Sequence, residues 1–270
     1  MVSKTEKIYL GLLSLKVVTF DEIAVEVEKT TGLRDPRYIH LKYVKRLSQE
    51  GKLQRIRRGL YAVIPPLEDK EKYVPDKFLI ASKIRDDYYL GYHTALEFYG
   101  CAYSHFNEVY IALKKKDRFD PFRYKNLRFR PVFVQDTSFG VEEKEYLGRR
   151  VRVSSKERTF IDCLDRVEYA GGWEESLKSL QGLGGLNFDS LNKALMSYNN
   201  ELLFRKAGFV LGLLRDTSVF YEHLSDKMLD SWYKRIGENP RYLTDEKPLI
   251  YNKRWRLYVP ENFEEKLRGI

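Results

Sequence analysis

The sequence predicts an α+β fold: an N-terminal helical unit closed by a hairpin, then a mixed α/β domain, then a mainly helical C-terminal region. Three observations predict it. Helical spacings fill the first fifty residues and give way at Lys52 to a strand-like segment that turns at a glycine. Strand signals at 108–113, at 127–134 and around Val151 and Val153 then interleave with helical stretches. From Trp173 onward helical spacings dominate. At 270 residues, 43% of them apolar, the chain is long enough for a sizeable core and one or two domains.

The first helix carries Ile8, Leu12 and Leu15 as an apolar stripe. Thr19 heads the sequence TFDE, a helix start with Glu22 at the reciprocal capping position. Ile23 and Val27, with Ala24 beside them, form the buried side of that second helix, and Thr30-Thr31-Gly32 end it. The third opens with Asp35 as N-cap and Pro36 at the first helical position, where its missing N–H costs nothing, and closes at Gly51. At 100° per residue Ile39, Tyr43 and Leu47 share one face with Val44 at its edge. Tyr38, Leu41, Lys42, Lys45 and Gln49 take the other, flanked by Arg37 and Arg46.

In the following KLQRIRRGLYAVI, Leu53 and Ile56 cannot both face inward on a regular strand, which predicts a bulge or strand edge. Gly59 supplies a tight turn, Tyr61 and Val63 alternate across Ala62, and the hairpin projects Arg55, Arg57 and Arg58 from its tip. Helix–helix–helix–hairpin is the order of a winged helix-turn-helix, with the third helix read as a recognition helix for a duplex major groove. This assigns 1–66 to that domain. Pro65-Pro66 and the charge-rich 67–75 read as a linker, and 76–270 as the second domain. There Phe78, Leu79, Ala81 and Ile84 suggest one short helix and His93 to Tyr99 another, ended by Gly100. Ser154-Ser155 cap KERTFIDCLDRVEYAGG, whose stripe is Phe160, Ile161, Leu164 and Val167, ending at Gly171-Gly172. Helices through Leu177 and Leu180, through 191–214, and through Met228 and Trp232 precede a terminal strand from Trp255 to Val259. No internal repeat is evident.

Lys plus Arg number 48 against 39 Asp plus Glu, a formal charge of +9. Its placement is more informative than its size. Between Arg34 and Arg58 nine basic residues face only Asp35 and Glu50. A second patch, Lys114 to Arg130, has eight basic residues against Asp117 and Asp120 and reads first as a solvated face. The first patch falls on the polar side of the third helix and on the hairpin tip. There Arg37, Tyr38, Lys42, Lys45, Arg46, Gln49, Arg55, Arg57 and Arg58 are the candidate contacts to double-stranded DNA. One alternative is a winged helix reused to contact another protein.

Signatures of catalysis are missing from the sequence. The four histidines, His40, His93, His105 and His223, form no HExxH and no metal-ligand spacing. GxSxG, GxxxxGK[ST] and GxGxxG do not occur. His93 and Cys163 read as structural groups on helical core faces. Asp136, Glu142 and Lys144 keep a metal-dependent nuclease as a second alternative. The expectation is a non-enzyme without cofactor or metal. Two cysteines, no long apolar run and no signal-peptide pattern predict a cytoplasmic chain without a membrane span, and a homo-oligomer is compatible with the sequence.

The segments RRGLYAVIP, YHTALEFYG and VSSKERTFIDCLDR, in that order and spacing, resemble the AbiEi-type antitoxin and transcriptional-regulator family over residues 4–172. The resemblance implies an N-terminal winged helix joined to an antitoxin domain and repression of a toxin–antitoxin operon. It also implies a nucleotidyltransferase-like toxin as genetic partner, controlled without a stable complex. Lys42, Lys45, Arg57 and Arg58 would then contact operator DNA.

Overall fold

Ser3 accepts a hydrogen bond from the Glu6 N–H and so caps α1 (Lys4–Leu13), whose Ile8 and Leu12 are buried. Leu15, the third member of the expected stripe, lies past the helix end and packs on the same core. The computed structural model describes residues 2–268. A short strand not foreseen from the sequence, β1 (Val17–Thr19), leads into α2 (Phe20–Thr31). The capping box is present: Thr19 Oγ1 accepts from the Glu22 N–H and Glu22 Oε2 accepts from the Thr19 N–H. Gly32, at φ +77°, supplies the left-handed residue that ends the helix.

The third helical stretch runs from α3 (Pro36–Ile39) through a π-turn, His40–Val44, into α4 (Lys45–Gln49), with helical dihedrals at both junctions. Asp35 Oδ1 accepts from the Tyr38 N–H, as the sequence predicts. The π-turn widens the helix locally, which lets both Tyr43 and Val44 join Ile39 and Leu47 in the core. Strands β2 (Leu53–Arg57) and β3 (Leu60–Val63) form the hairpin, and β1 pairs with β3 in a sheet of order β1-β3-β2.

This sheet is covered on both faces. Val18, Leu53, Tyr61 and Val63 pack under the helices. Val17, Ile56, Leu60, Ala62 and Ile64 pack into the core of the next region. Leu53 and Ile56 are therefore both buried because they face two different cores. The expected bulge is nonetheless there: Arg55 pairs with Tyr61 and Arg57 with Leu60, so the register shifts by one residue between them.

Residues 64–76 are irregular but tied down. Tyr9 Oη donates to the Ile64 carbonyl at 2.6 Å, and Lys125 Nζ donates to the carbonyls of Lys70 and Glu71. The middle region then runs α5 (Lys77–Ala81), β4 (Tyr88–Leu90), α6 (Tyr92–Phe98), β5 (Glu108–Leu113), β6 (Phe122–Tyr124), β7 (Leu127–Phe133), β8 (Val141–Tyr146), β9 (Arg149–Ser154) and α7 (Lys156–Asp165). Its strands make a mixed sheet of order β6-β7-β5-β4-β9-β8. Strands β5, β7 and β9 follow the sequence signals. β4 and β6 have three residues each, and β8 (VEEKEY) is an exposed edge with a charged sequence.

After α7 a 3-10 turn, Val167–Ala170, interrupts the helix expected to reach Gly171. Helices α8 (Gly172–Gln181), α9 (Phe188–Tyr198), α10 (Glu201–Thr217) and α11 (Asp226–Tyr233) enclose a core that includes Phe160, Leu164, Leu177, Leu195, Leu211 and Trp232. A small sheet of β10 (Arg241–Tyr242), β12 (Leu257–Pro260) and β11 (Leu249–Asn252) closes this end before α12 (Glu265–Arg268). Trp255, just before β12, crosses α10 at Gly208. A Cβ there would meet its indole at 2.1 Å, so the helix accepts the cost of an internal glycine. The architecture is thus α+β: an α/β N-terminal region, a sheet-rich middle and a helix-rich end. Among the described residues no helix is long and apolar enough to cross a membrane.

Candidate nucleic-acid interface

On α3, the π-turn and α4, the side chains of Arg37, Tyr38, His40, Leu41, Lys42, Lys45, Arg46 and Gln49 are exposed, while Ile39, Tyr43, Val44 and Leu47 are buried. Tyr38 and Leu41 leave 49% and 63% of their surface open, so the face carries apolar as well as charged surface. The Lys42 ammonium stands 5.2 Å from the centroid of the Tyr38 ring. Arg46 Nε donates to Glu50 Oε1 at 2.9 Å, so that cation is partly occupied. Among the described residues Arg37, Lys45 and Gln49 have no side-chain hydrogen bond or ion pair.

The hairpin tip is held beside this face. The Phe20 N–H donates to the Gly59 carbonyl at 2.8 Å, and the Phe20 ring lies 6.4 Å from the His40 ring. Gly59, at φ +77°, makes the turn. Arg55 and Arg58 are exposed.

Arg57 requires a correction. The sequence places it among the residues that project from the tip, but the register shift turns it to the same side of the sheet as its partner Leu60, toward the middle region. Its guanidinium carbon lies 4.8 Å from the Phe122 ring centroid and 5.8 Å from that of Phe119. Burial first, and the neighbouring Arg85 second, disfavour its charged form. Arg57→Ala is therefore expected to lower stability by about 1–2 kcal/mol through lost cation–π packing. Denaturant unfolding of the variant and the parent checks this loss.

The second basic stretch divides. Arg128 and Arg130 pair with Glu108, Lys114 with Asp87, and Lys125 is spent on carbonyls. Lys115, Lys116, Arg118 and Arg123 remain exposed. The other sequence candidates are absorbed by the fold. His93 is buried, stacks on Phe106 at 3.7 Å and meets Glu175 at 3.0 Å. Burial pushes the Cys163 thiol well above its usual range. Asp136 accepts from the Ser138 hydroxyl and from the N–H groups of Ser138 and Phe139, which hold its carboxyl at about 2. Glu142 pairs with Lys144 at 2.6 Å. Among the described residues no group of three or more His, Cys, Asp or Glu side chains converges to hold a metal.

Sequence reasoning missed a cavity of about 490 Å³ between the 134–139 loop, α7 and the end of α9. Its floor is a buried network in which Tyr89 and Tyr198 donate to Asp162 and Arg158 Nη2 donates to Tyr89 Oη at 2.9 Å. Tyr92, on its wall, is buried with φ +56°, a left-handed backbone that costs a bulky residue about 1–3 kcal/mol. Arg158 and Asp162, four apart among the apolar residues of α7, were the available signal.

No family model and no curated protein matches the chain. The crystal structure of the RV2827C protein from Mycobacterium tuberculosis is similar in fold, with a TM-score of 0.68 at 15% sequence identity. The match covers 100% of this chain and 95% of that one. At such an identity the likeness is one of fold alone.

Of the nine residues selected from the sequence, then, six lie exposed on the helix face and two, Arg55 and Arg58, on the hairpin next to it. Arg57 lies behind them.

Proposed function

We propose that residues 1–66 are a winged helix, with α3–α4 as its recognition helix, and that the chain is a double-stranded-DNA-binding transcriptional regulator. The observation that carries this reading is the open helix face beside an exposed arginine-bearing turn. Arg37, Lys42 and Lys45 and the side chains of Tyr38, Leu41 and Gln49 offer a mixture of cation, amide and apolar surface, the chemistry that reads base edges in a major groove. Arg55 and Arg58 neutralise phosphates alongside and set the register. The middle region stiffens the hairpin by covering the outer face of its sheet.

The three segments that resemble AbiEi-type antitoxins support a finer reading, in which the chain represses its own toxin–antitoxin operon in the cytoplasm and acts without enzymatic activity. A nucleotidyltransferase-like toxin would be its genetic partner. The test is fluorescence anisotropy with the duplex immediately upstream of the chain's own reading frame, against a shuffled duplex of equal composition. The reading expects binding at least about 10³-fold tighter to the upstream duplex. Equal affinity for the two would refute sequence-specific regulation there. Growth rescue on co-expression with the product of the adjacent frame tests the antitoxin part.

A further inference from the structure

We infer that the cavity between the 134–139 loop, α7 and α9 is a binding site for a free α-amino acid, which it takes by its ammonium and carboxylate groups together. Some polar groups of the cavity are already satisfied, and others are left open. On the floor, Asp162 accepts from Tyr89 and Tyr198, while the Arg158 guanidinium donates to Tyr89 Oη and to the carbonyls of Asp136 and Phe139. The Asp136 carboxylate is consumed by its own turn. These groups give the cavity a rigid base.

The wall is different. Asp165 is a half-buried carboxylate, 33% exposed, that accepts no hydrogen bond among the described residues; the nearby Lys206 ammonium offsets its charge but donates to the Leu164 carbonyl instead. Arg166, 38% exposed, makes none either and meets Asp165 only at 4.0 Å, outside hydrogen-bond reach. Among the described residues the Tyr92 hydroxyl has no hydrogen-bond partner, although the side chain is almost wholly buried. The left-handed backbone that holds Tyr92 on this wall is strain of the kind retained at ligand clamps. A half-buried carboxylate without donors calls for an N–H donor, and a guanidinium fork calls for a planar anion. Both are met at once by a zwitterion, whose side chain then lies against Phe139 and Val134.

Charge argues against other classes. Among the described residues Asp136, Asp162 and Asp165 line the cavity and Arg158 is already engaged, so a nucleotide's phosphates would meet repulsion with Arg166 as the lining cation to offset it. A simple cation would face Arg166. The volume lies within the range of small-ligand pockets. This inference stands apart from the DNA reading, since no residue of the helix face or hairpin lines the cavity.

The experiment is a thermal-shift screen of the full chain with each proteinogenic amino acid at about 10 mM, followed by calorimetry on any that stabilise it. The expected result is a saturable rise in melting temperature with one amino acid or a few of related side chain. That effect should weaken about tenfold or more in Asp165→Asn and in Arg166→Gln, whose ligand-free melting temperatures stay close to that of the parent. As a check that needs no variant, the N-acetyl and carboxamide derivatives of the same amino acid should each lose binding. No shift with any amino acid, a shift that survives both variants or both derivatives, or stabilisation by nucleotides abolished in the same variants, would each overturn the assignment.

Discussion

Replacing Lys42 and Lys45 together with alanine is expected to cut the preference for the correct duplex by about 10²–10⁴-fold while binding to random DNA falls far less. Both side chains lie on the exposed face, and among the described residues neither makes an ion pair. A lysine in the major groove donates to guanine O6 and N7, and each well-made contact of this type discriminates by about 1–3 kcal/mol. In the free protein Lys42 rests over the Tyr38 and Tyr43 rings, 5.2 and 5.6 Å from their centroids, a weak hold that it can leave on binding. Competition isotherms with the upstream and shuffled duplexes give the ratio. If both affinities fall equally, the two lysines touch phosphates only.

Arg158→Ala is expected to have the largest effect on stability, a loss of about 3–5 kcal/mol measured by denaturant unfolding. Asp162 is 2% exposed, and the guanidinium of Arg158, itself 4% exposed, is the cation beside it at 3.5 Å. Removing the arginine leaves the carboxylate with its two tyrosine donors but no opposing charge, and it also frees the carbonyls of Asp136 and Phe139. Adding Asp162→Ala to the first change should restore part of the loss, because the uncompensated charge is then gone. The helix face lies elsewhere, so DNA affinity of the folded fraction should not move.

Local signals carried far in this sequence. Thr19 with Glu22, Asp35 with Pro36, and Ser155 at the start of α7 each name a helix start, because capping chemistry needs a particular residue at one position. The 39, 43, 47 spacing told inside from outside on the third helix even across a π-turn, because both faces shift together. What stayed hidden depends on partners distant in the chain. The spacing of Leu53 and Ile56 pointed to an irregularity, but that the sheet is buried on both faces follows from a region that begins after residue 76. The inward turn of Arg57 follows from that burial. β4, of three residues, is too short to show a period, and β8 is a polar edge with no apolar face to show. The cavity is assembled from Tyr92, Asp136, Arg158 and Tyr198, four separate segments that no local pattern connects.

If the helix face and the hairpin turn meet one duplex together, the salt dependence of upstream-duplex binding must differ between the parent chain and the double variant Arg55→Ala, Arg58→Ala. Log Kd should rise steeply with log salt for the parent, and the slope should shrink by about 2 in the variant, one released counterion per lost phosphate contact. The weakening should be equal on specific and random DNA. An unchanged slope, or a parent that binds no duplex at low salt, would contradict it.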